Sequence, residues 1–407
     1  MKKAKIFFTL FLSGLFLSMS FSNLVNAEPI STSYNKVKLI TIQVPSDVTN
    51  FTLQHFGEEL QIINKNPDRY GFNSKEISNF TLGQPFNIYF YQNNKLVTSN
   101  NYCYPVLYNN TIKGIFSITK ISDGKYTGAL SRSFGDTLQQ LSINNNCNFR
   151  IVSMNGDLFA IDSNKSVLLH KDKDKKLESN IITSSELNKI NKGITNSTNK
   201  ENTISANSLM NSKYFQKQLY NSTDDSPVDS LTSHNLLYVP IVLQGNHPWC
   251  WAATDASMIN YFKGTFYKEL SAQDVVEYIY GSPVDEGGDE AQICQADTHW
   301  GLTPKVENGV LTFSTFQHLI DSNEPVNGVF GYIDPVHGFE GHSMSMIGYD
   351  TYSSGDKYYA IIDPNEDYYI ALTANDSGCS VVYYLDGDPF TWIDSIIIQN
   401  NPLVNNW

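Results

Sequence analysis

Cys250 opens the stretch Cys250-Trp-Ala-Ala-Thr-Asp-Ala-Ser-Met-Ile-Asn-Tyr-Phe262, directly after Gln244-Gly-Asn-His-Pro-Trp249. Pro248 opposes a helix before it, and a period of 3.6 starts at the cysteine, with Ala253, Ala256 and Phe262 near one face. The spacing therefore predicts a helix whose first residue is the cysteine. Unpaired amides and the helix dipole favour the thiolate there, and only the thiolate attacks a carbonyl carbon. The plainer reading is a cysteine that fills space between Trp249 and Trp251.

A reactive thiolate needs a base. Gly341-His342-Ser-Met-Ser-Met-Ile-Gly348-Tyr-Asp reads as a strand that opens on a histidine, beside a loop holding Gly338 and Gly341. An imidazole within about 3 Å of a thiol forms the thiolate–imidazolium pair that makes sulfur reactive near neutral pH. His337 and His247 are rivals, although His247 is close in sequence to Cys250 for facing it across a cleft. The third element is Tyr358-Tyr-Ala-Ile-Ile-Asp363-Pro364-Asn365, an apolar strand stopped by proline. A carboxylate there can accept the second imidazole N–H and fix the ring's tautomer. Asn365 can do the same, and an ordinary strand-ending Asp is the bland alternative.

The elements around these residues form two units. Residues 36–165 read as a β-rich antiparallel unit: short apolar runs at 38–44, 86–91 and 114–119 alternate with Asn, Gly and Asp turns. Residues 149–162 look like a closing hairpin, and 137–142 like a helical turn. From Lys171 to about Asp229 the composition collapses into Lys, Asp, Ser, Asn and Thr, too polar to offset its own ordering entropy. This stretch reads as a flexible linker with a short helix near 212–220. Residues 230–407 begin with helices at Cys250, from Ser271 to Gly281 and over 314–321. Period-2 strands follow at 326–334, 342–350, 358–363, 381–385 and 392–399. Helices first and antiparallel strands after is an α+β pattern.

Lys2, Lys3 and Lys5, the apolar run 6–22 and Val25-Asn-Ala27 have the form of a cleavable signal peptide over 1–27. The chain is therefore expected to be secreted, with no membrane contact once that segment is removed. Residues 28–225 carry 21 Lys or Arg against 17 Asp or Glu, whereas 226–407 carry 4 Lys, no Arg and 24 Asp or Glu. So acidic a back half excludes nucleic acid as a partner and can attract the basic front half. Five cysteines are too few for a disulfide scaffold and leave one unpaired. Cys103 with Cys147 and Cys294 with Cys379 are the pairings considered. Cys294 and His299 supply too few ligands for structural zinc, so neither metal nor cofactor is expected.

The order Cys…His…Asp/Asn, the Gln six positions before the cysteine, Cys-Trp-Ala-Ala, the Gly-His strand ending in Gly-Tyr-Asp, and the Asp-Pro stop together resemble papain-clan cysteine proteases, and most nearly the staphopains. The resemblance implies a papain-like two-lobe catalytic domain over 230–407, a helical lobe followed by an antiparallel β lobe. It implies a β-rich propeptide domain at 28–170 that blocks the cleft, and an activation linker at 171–229 cut somewhere in 200–232. By the same likeness Cys250 is the nucleophile, His342 the base and later acid, and Asp363 the orienting residue. Gln244 would then donate to the oxyanion together with the Cys250 N–H, a donor whose loss costs about 2.7–4 kcal/mol of barrier. Asp363 departs from the staphopain Asn, and Asn365 replaces the aromatic residue that usually follows the Asn-Pro pair. Trp392 is the candidate to shield the site instead. The implied activity is a monomeric thiol endopeptidase made as a zymogen, acting on proteins or peptides and held by its own propeptide in cis. Two other classes compete. A peptidoglycan-stem amidase or endopeptidase would use the same chemistry, but such enzymes usually place Asp before the cysteine, where this chain has Trp249. A non-catalytic binding module would leave the thiol inert.

Overall fold

The computed structural model describes residues 37–399 apart from 42, 93–94, 123, 145–147, 155, 172–181, 183, 196–201, 206–229, 265–269, 335–337, 375–381 and 386–387. In the back part, the helix Cys250–Phe262 buries every residue except Tyr261. A helix that is apolar nearly all round needs cover on all sides. It packs against the helices Ala272–Tyr280 and Glu290–His299 and the long strand Gly338–Tyr352. The helix Ala272–Tyr280 lies where the Ser271 signal predicts it: Ser271 and Asp274 form a reciprocal capping box, and Gly281 ends the helix at φ 76°. The helix Glu290–His299 is not anticipated in the sequence reading, although Asp289 and Gln292 cap it in the same way.

The strands that follow form an antiparallel ladder. Gly338–Tyr352 lies between Val326–Asp334 and Lys357–Ile362, and its far end also pairs with Leu231–Leu236. Asp388–Ile398 covers the other side of Val326–Asp334. His342 does not open its strand as expected; it sits inside it, opposite Phe330, because pairing with Val326–Asp334 extends the ladder back to Gly338.

The front part holds strands at 81–82, 86–92, 95–108, 111–122, 125–131, 148–154, 157–161 and 166–170, the β-rich unit that the alternation predicts. Its longest helix, Ser46–Lys65, is missing from the sequence reading. Val48, Thr52, Phe56, Leu60 and Ile63 recur at helical spacing along it and are all buried. Inside the stretch read as a flexible linker the structure places a helix, Ser184–Thr195, and a strand, Asn202–Ser205, paired antiparallel with Lys38–Thr41. Ile182 and Ile190 are what hold this region down, packing with Val152, Phe159 and Ile161. The helix read near 212–220 lies outside the described residues.

Front and back share one large apolar cluster, beside smaller clusters that each part keeps to itself. Strand Lys125–Ser131 adds to the edge of Tyr369–Ala374, with Leu130 opposite Ala371 and Ala129 opposite Leu372. Phe56, Leu60, Tyr70 and Phe116 from the front join Tyr352, Tyr358, Tyr369 and Leu372 from the back in a single apolar cluster. Polar contacts are set into this face. Tyr358 donates its hydroxyl proton to buried Glu58 and accepts from His55 Nδ1 at 2.6 Å, and Lys65 pairs with Asp350. Burial pushes the Glu58 and Asp350 carboxyls up, and pushes neighbouring Glu59 well up.

Candidate active site

Cys250 is the first residue of its helix and is buried, with 8% of its surface left exposed. Two hydrogen bonds fix the pieces around it. Thr254 Oγ1, one turn along the helix, donates to the Ser343 carbonyl at 2.9 Å, the residue after His342. Gln244 N donates to the Pro364 carbonyl at 3.0 Å, the residue after Asp363. The segment before the nucleophile, the nucleophile helix and the two β segments are thereby tied at residues adjacent to the candidate groups.

His342 is 1% exposed and Asp363 fully buried. The ring Nε2 lies 3.0 Å from Asp363 Oδ1, which also accepts the backbone N–H of Asn365 at 2.9 Å. The register explains the meeting. Ile362 pairs with Ser345, so the chain leaving that strand passes beside His342. Asn365 is buried behind Asp363 and supplies a backbone donor to it. The ring packed against His342 is Phe390, with centroids 5.9 Å apart, and not Trp392. Trp392 stacks on Phe330 in the core and donates Nε1 to the Asp394 carbonyl, because its pairing opposite Phe330 turns it inward.

Gln244 is buried, and its side-chain amide donates to the His247 carbonyl at 3.0 Å. It is close in chain to the nucleophile but not among the residues that line the cleft. His247 stacks on Trp249 at 4.0 Å and meets Asp285 at 2.5 Å, so it belongs to the outer loop. His337 lies outside the described residues.

Cys250 and His342 line one cleft of about 790 Å³. One wall is Trp251, Gly287, Gly288, Asp289 and Glu290; the other includes Phe339, Glu340, Phe390 and Asp394. Among the described residues, all the lining comes from 248–394 and none from the front part. The described front part docks instead on the sheet edge at 369–374 and the hairpin around Tyr352 and Tyr358, where a strand could be added and aromatics covered. Cys103, Cys250 and Cys294 are thiols rather than half-cystines, so neither of the pairings considered is formed; Cys147 and Cys379 lie outside the described residues. Burial pushes Cys103 up to about 12, and burial with Asp297 and Glu290 pushes Cys294 up to about 11.

Residues 236–383 match the Peptidase_C39 like family. The matched stretch is just over a third of the chain and holds Gln244, Cys250, His342 and Asp363. It is a C39-like peptidase domain, a relative of the papain-like cysteine peptidases; the staphopain likeness stands only at that broader level. A solved structure described as a C39-like peptidase from Bacillus anthracis is similar at 13% identity and a TM-score of 0.30, covering 42% of this chain and 98% of that one. No curated protein matches.

The sequence reading missed the C39-like domain's wall at 284–290. Its signal was the run Asp285-Glu-Gly-Gly-Asp-Glu290, where two glycines lie among carboxylates. Trp249 Nε1 donates to the Val284 carbonyl at 2.8 Å and Trp251 Nε1 to the Glu286 carbonyl at 3.3 Å, so the two tryptophans beside the nucleophile carry this wall. Gly288 lies flat on the Trp251 indole; a Cβ there would meet the ring at 2.3 Å. Gly288→Ala is therefore expected to displace the wall or the indole, shifting tryptophan emission and lowering peptide hydrolysis by up to about a hundredfold, the scale of a misplacement of about 1 Å at a reacting centre. Unchanged emission and turnover would show that the wall has slack.

Proposed function

We propose that this chain is a secreted thiol endopeptidase, made as a precursor, in which Cys250, His342 and Asp363 act together. The observation that carries this reading is the His342–Asp363 hydrogen bond of 3.0 Å in the wall of a cleft that Cys250 also lines. With Nε2–H donated to Asp363, proton exchange with the thiol runs through Nδ1. His342 takes the thiol proton, and the thiolate attacks the carbonyl carbon of the scissile peptide. The Cys250 N–H, at the helix start, and the Gln244 amide, after turning from the His247 carbonyl, are the donors assigned to the oxyanion. His342 then protonates the leaving amine as the C–N bond breaks, giving a thioester. Water loses a proton to His342 and attacks the thioester, the C–S bond breaks, and the carboxylic acid product and the thiol are restored. No metal or cofactor is needed for these steps.

The precursor reading rests on the signal-like start and on the polar, Ser- and Asn-rich stretch 206–229 ahead of the C39-like domain, with cutting expected in 200–232. Strand addition at 369–374 supports residues 28–170 acting on their own enzyme in cis, by bracing the β lobe.

Alkylation tests the nucleophile directly. With Cys103 and Cys294 both pushed well above neutral pH, iodoacetamide at pH 7 is expected to label Cys250 first among the three thiols, and casein hydrolysis to fall in step with that label. Labelling of Cys294 ahead of Cys250, or full hydrolysis by protein labelled at Cys250, would remove the nucleophile from the reading.

A further inference from the structure

The cleft's charge has one sign. Apart from Cys250 and His342, its ionisable lining is Asp289, Glu290, Glu340 and Asp394, with no Lys or Arg among the lining residues. Residues 226–407 contain no arginine and only four lysines. Of these, Lys305 pairs with Glu307 and Lys357 sits over the Phe313 ring. Asp289 is occupied in capping its helix, and Asp394 accepts the Gly309 N–H at 2.5 Å. Glu290 differs: among the described residues no donor or cation pairs with it. Partial burial, then Asp394 on the facing wall, then Asp289, raise its carboxyl from the ordinary value. Facing carboxylates on two walls, with no Lys or Arg among the lining residues, lose their mutual repulsion when a cation enters between them. A second feature points the same way. Phe339, on the β-lobe rim, is 65% exposed, an aromatic face left to solvent at the mouth of the cleft. Such a ring attracts a guanidinium or ammonium group.

We infer that this cleft selects a peptide carrying lysine or arginine beside the scissile bond, read by Glu290 with Asp394 opposite and Phe339 at the rim. The inference rests on the thiol-peptidase reading of the same cleft and adds its substrate class. The charged side chain lies between the two walls while the peptide bond faces Cys250. Acidic side chains at that position are rejected by the same carboxylates.

Matched fluorogenic peptides that differ at one residue, arginine, its neutral isostere citrulline or glutamate, test this on the full chain. Each position flanking the cut is scanned in turn. At one position, kcat/KM for arginine is expected to exceed that for citrulline about tenfold or more at low ionic strength, with the ratio shrinking as salt rises. Glu290→Gln is expected to bring the arginine-to-citrulline ratio down about tenfold, and Glu290→Lys to favour glutamate. The wild-type ratio and its salt dependence stand without either variant. Equal turnover of the three peptides at every position, abolished by Cys250→Ala, would overturn the inference and leave the peptidase reading intact. Turnover that survives Cys250→Ala would overturn both.

Discussion

Cys250→Ala is expected to lower hydrolysis of casein and of small peptides by about 10⁴-fold or more, with the fold unchanged. Removing a covalent nucleophile removes the whole route, since the base and orienting groups act only through it. The substitution keeps Cβ, takes away one sulfur at a site 8% exposed, and leaves the Thr254–Ser343 and Gln244–Pro364 ties in place. Circular dichroism and the unfolding midpoint should therefore barely move while turnover disappears. Full-length wild-type and variant chains in parallel also read the precursor question. If the wild type trims itself within 200–232, the variant accumulates uncut. Equal turnover by the two proteins would leave the cysteine a packing residue.

The second large effect lies behind the nucleophile, where two acids are buried together. Asp255, on the Cys250 helix, is fully buried, and Asp297, on the helix Glu290–His299, is 2% exposed. Burial first, and then the charge of nearby Asp297, hold the Asp255 carboxyl well above the carboxylate range; burial pushes Asp297 up to about 7. The native state thus keeps protons that the unfolded chain releases above about pH 4. Stability conferred at acid pH declines as pH rises through the folded value of Asp297 near 7, and continues to decline as Asp255 is forced to ionise. Asp255→Asn keeps a donor toward Asp297 and needs no retained proton. Each pH unit over which one extra proton is held is worth about 1.4 kcal/mol. The variant is therefore expected to gain up to about 4 kcal/mol on the wild type between pH 5 and pH 8, one proton over three pH units, read by urea unfolding at each pH. Glu58, Glu59 and Asp350 act in both proteins with the same sign, so they cancel in the comparison. Parallel pH curves would show that the two acids do not share a proton.

These two sites divide the helical lobe's work. Cys250 faces the cleft at the helix start, and Asp255, five residues on, anchors the same helix to the one that opens with Glu290. A change in the shared proton therefore acts on the nucleophile's support and on the acidic wall together. Acid conditions favour the closed carboxyl pair and also the buried acids where the front part meets the back.

Local chemistry alone made several features legible: a helix beginning at Cys250 after a proline, a capped helix from Ser271 to Gly281, a glycine-flanked histidine in a β segment, and an aspartate before a proline at a strand end. Each depends on neighbours within a few residues, where capping, period and proline geometry act directly. Tertiary structure decided the rest. That Asp363 rather than the Asn365 side chain meets His342 Nε2 depends on the register between two strands, which turns on long-range pairing. Phe390 rather than Trp392 covers the imidazole because pairing opposite Phe330, on the strand between Trp392 and His342, turns the tryptophan inward. The helix Ser46–Lys65, whose period was overlooked among β-like runs, and the shared front–back core follow from burying aromatic surface that no local pattern assigns to a partner. The sequence alone specifies which groups can react; packing across distant segments sets which of them meet, since burial and strand register are properties of the whole chain.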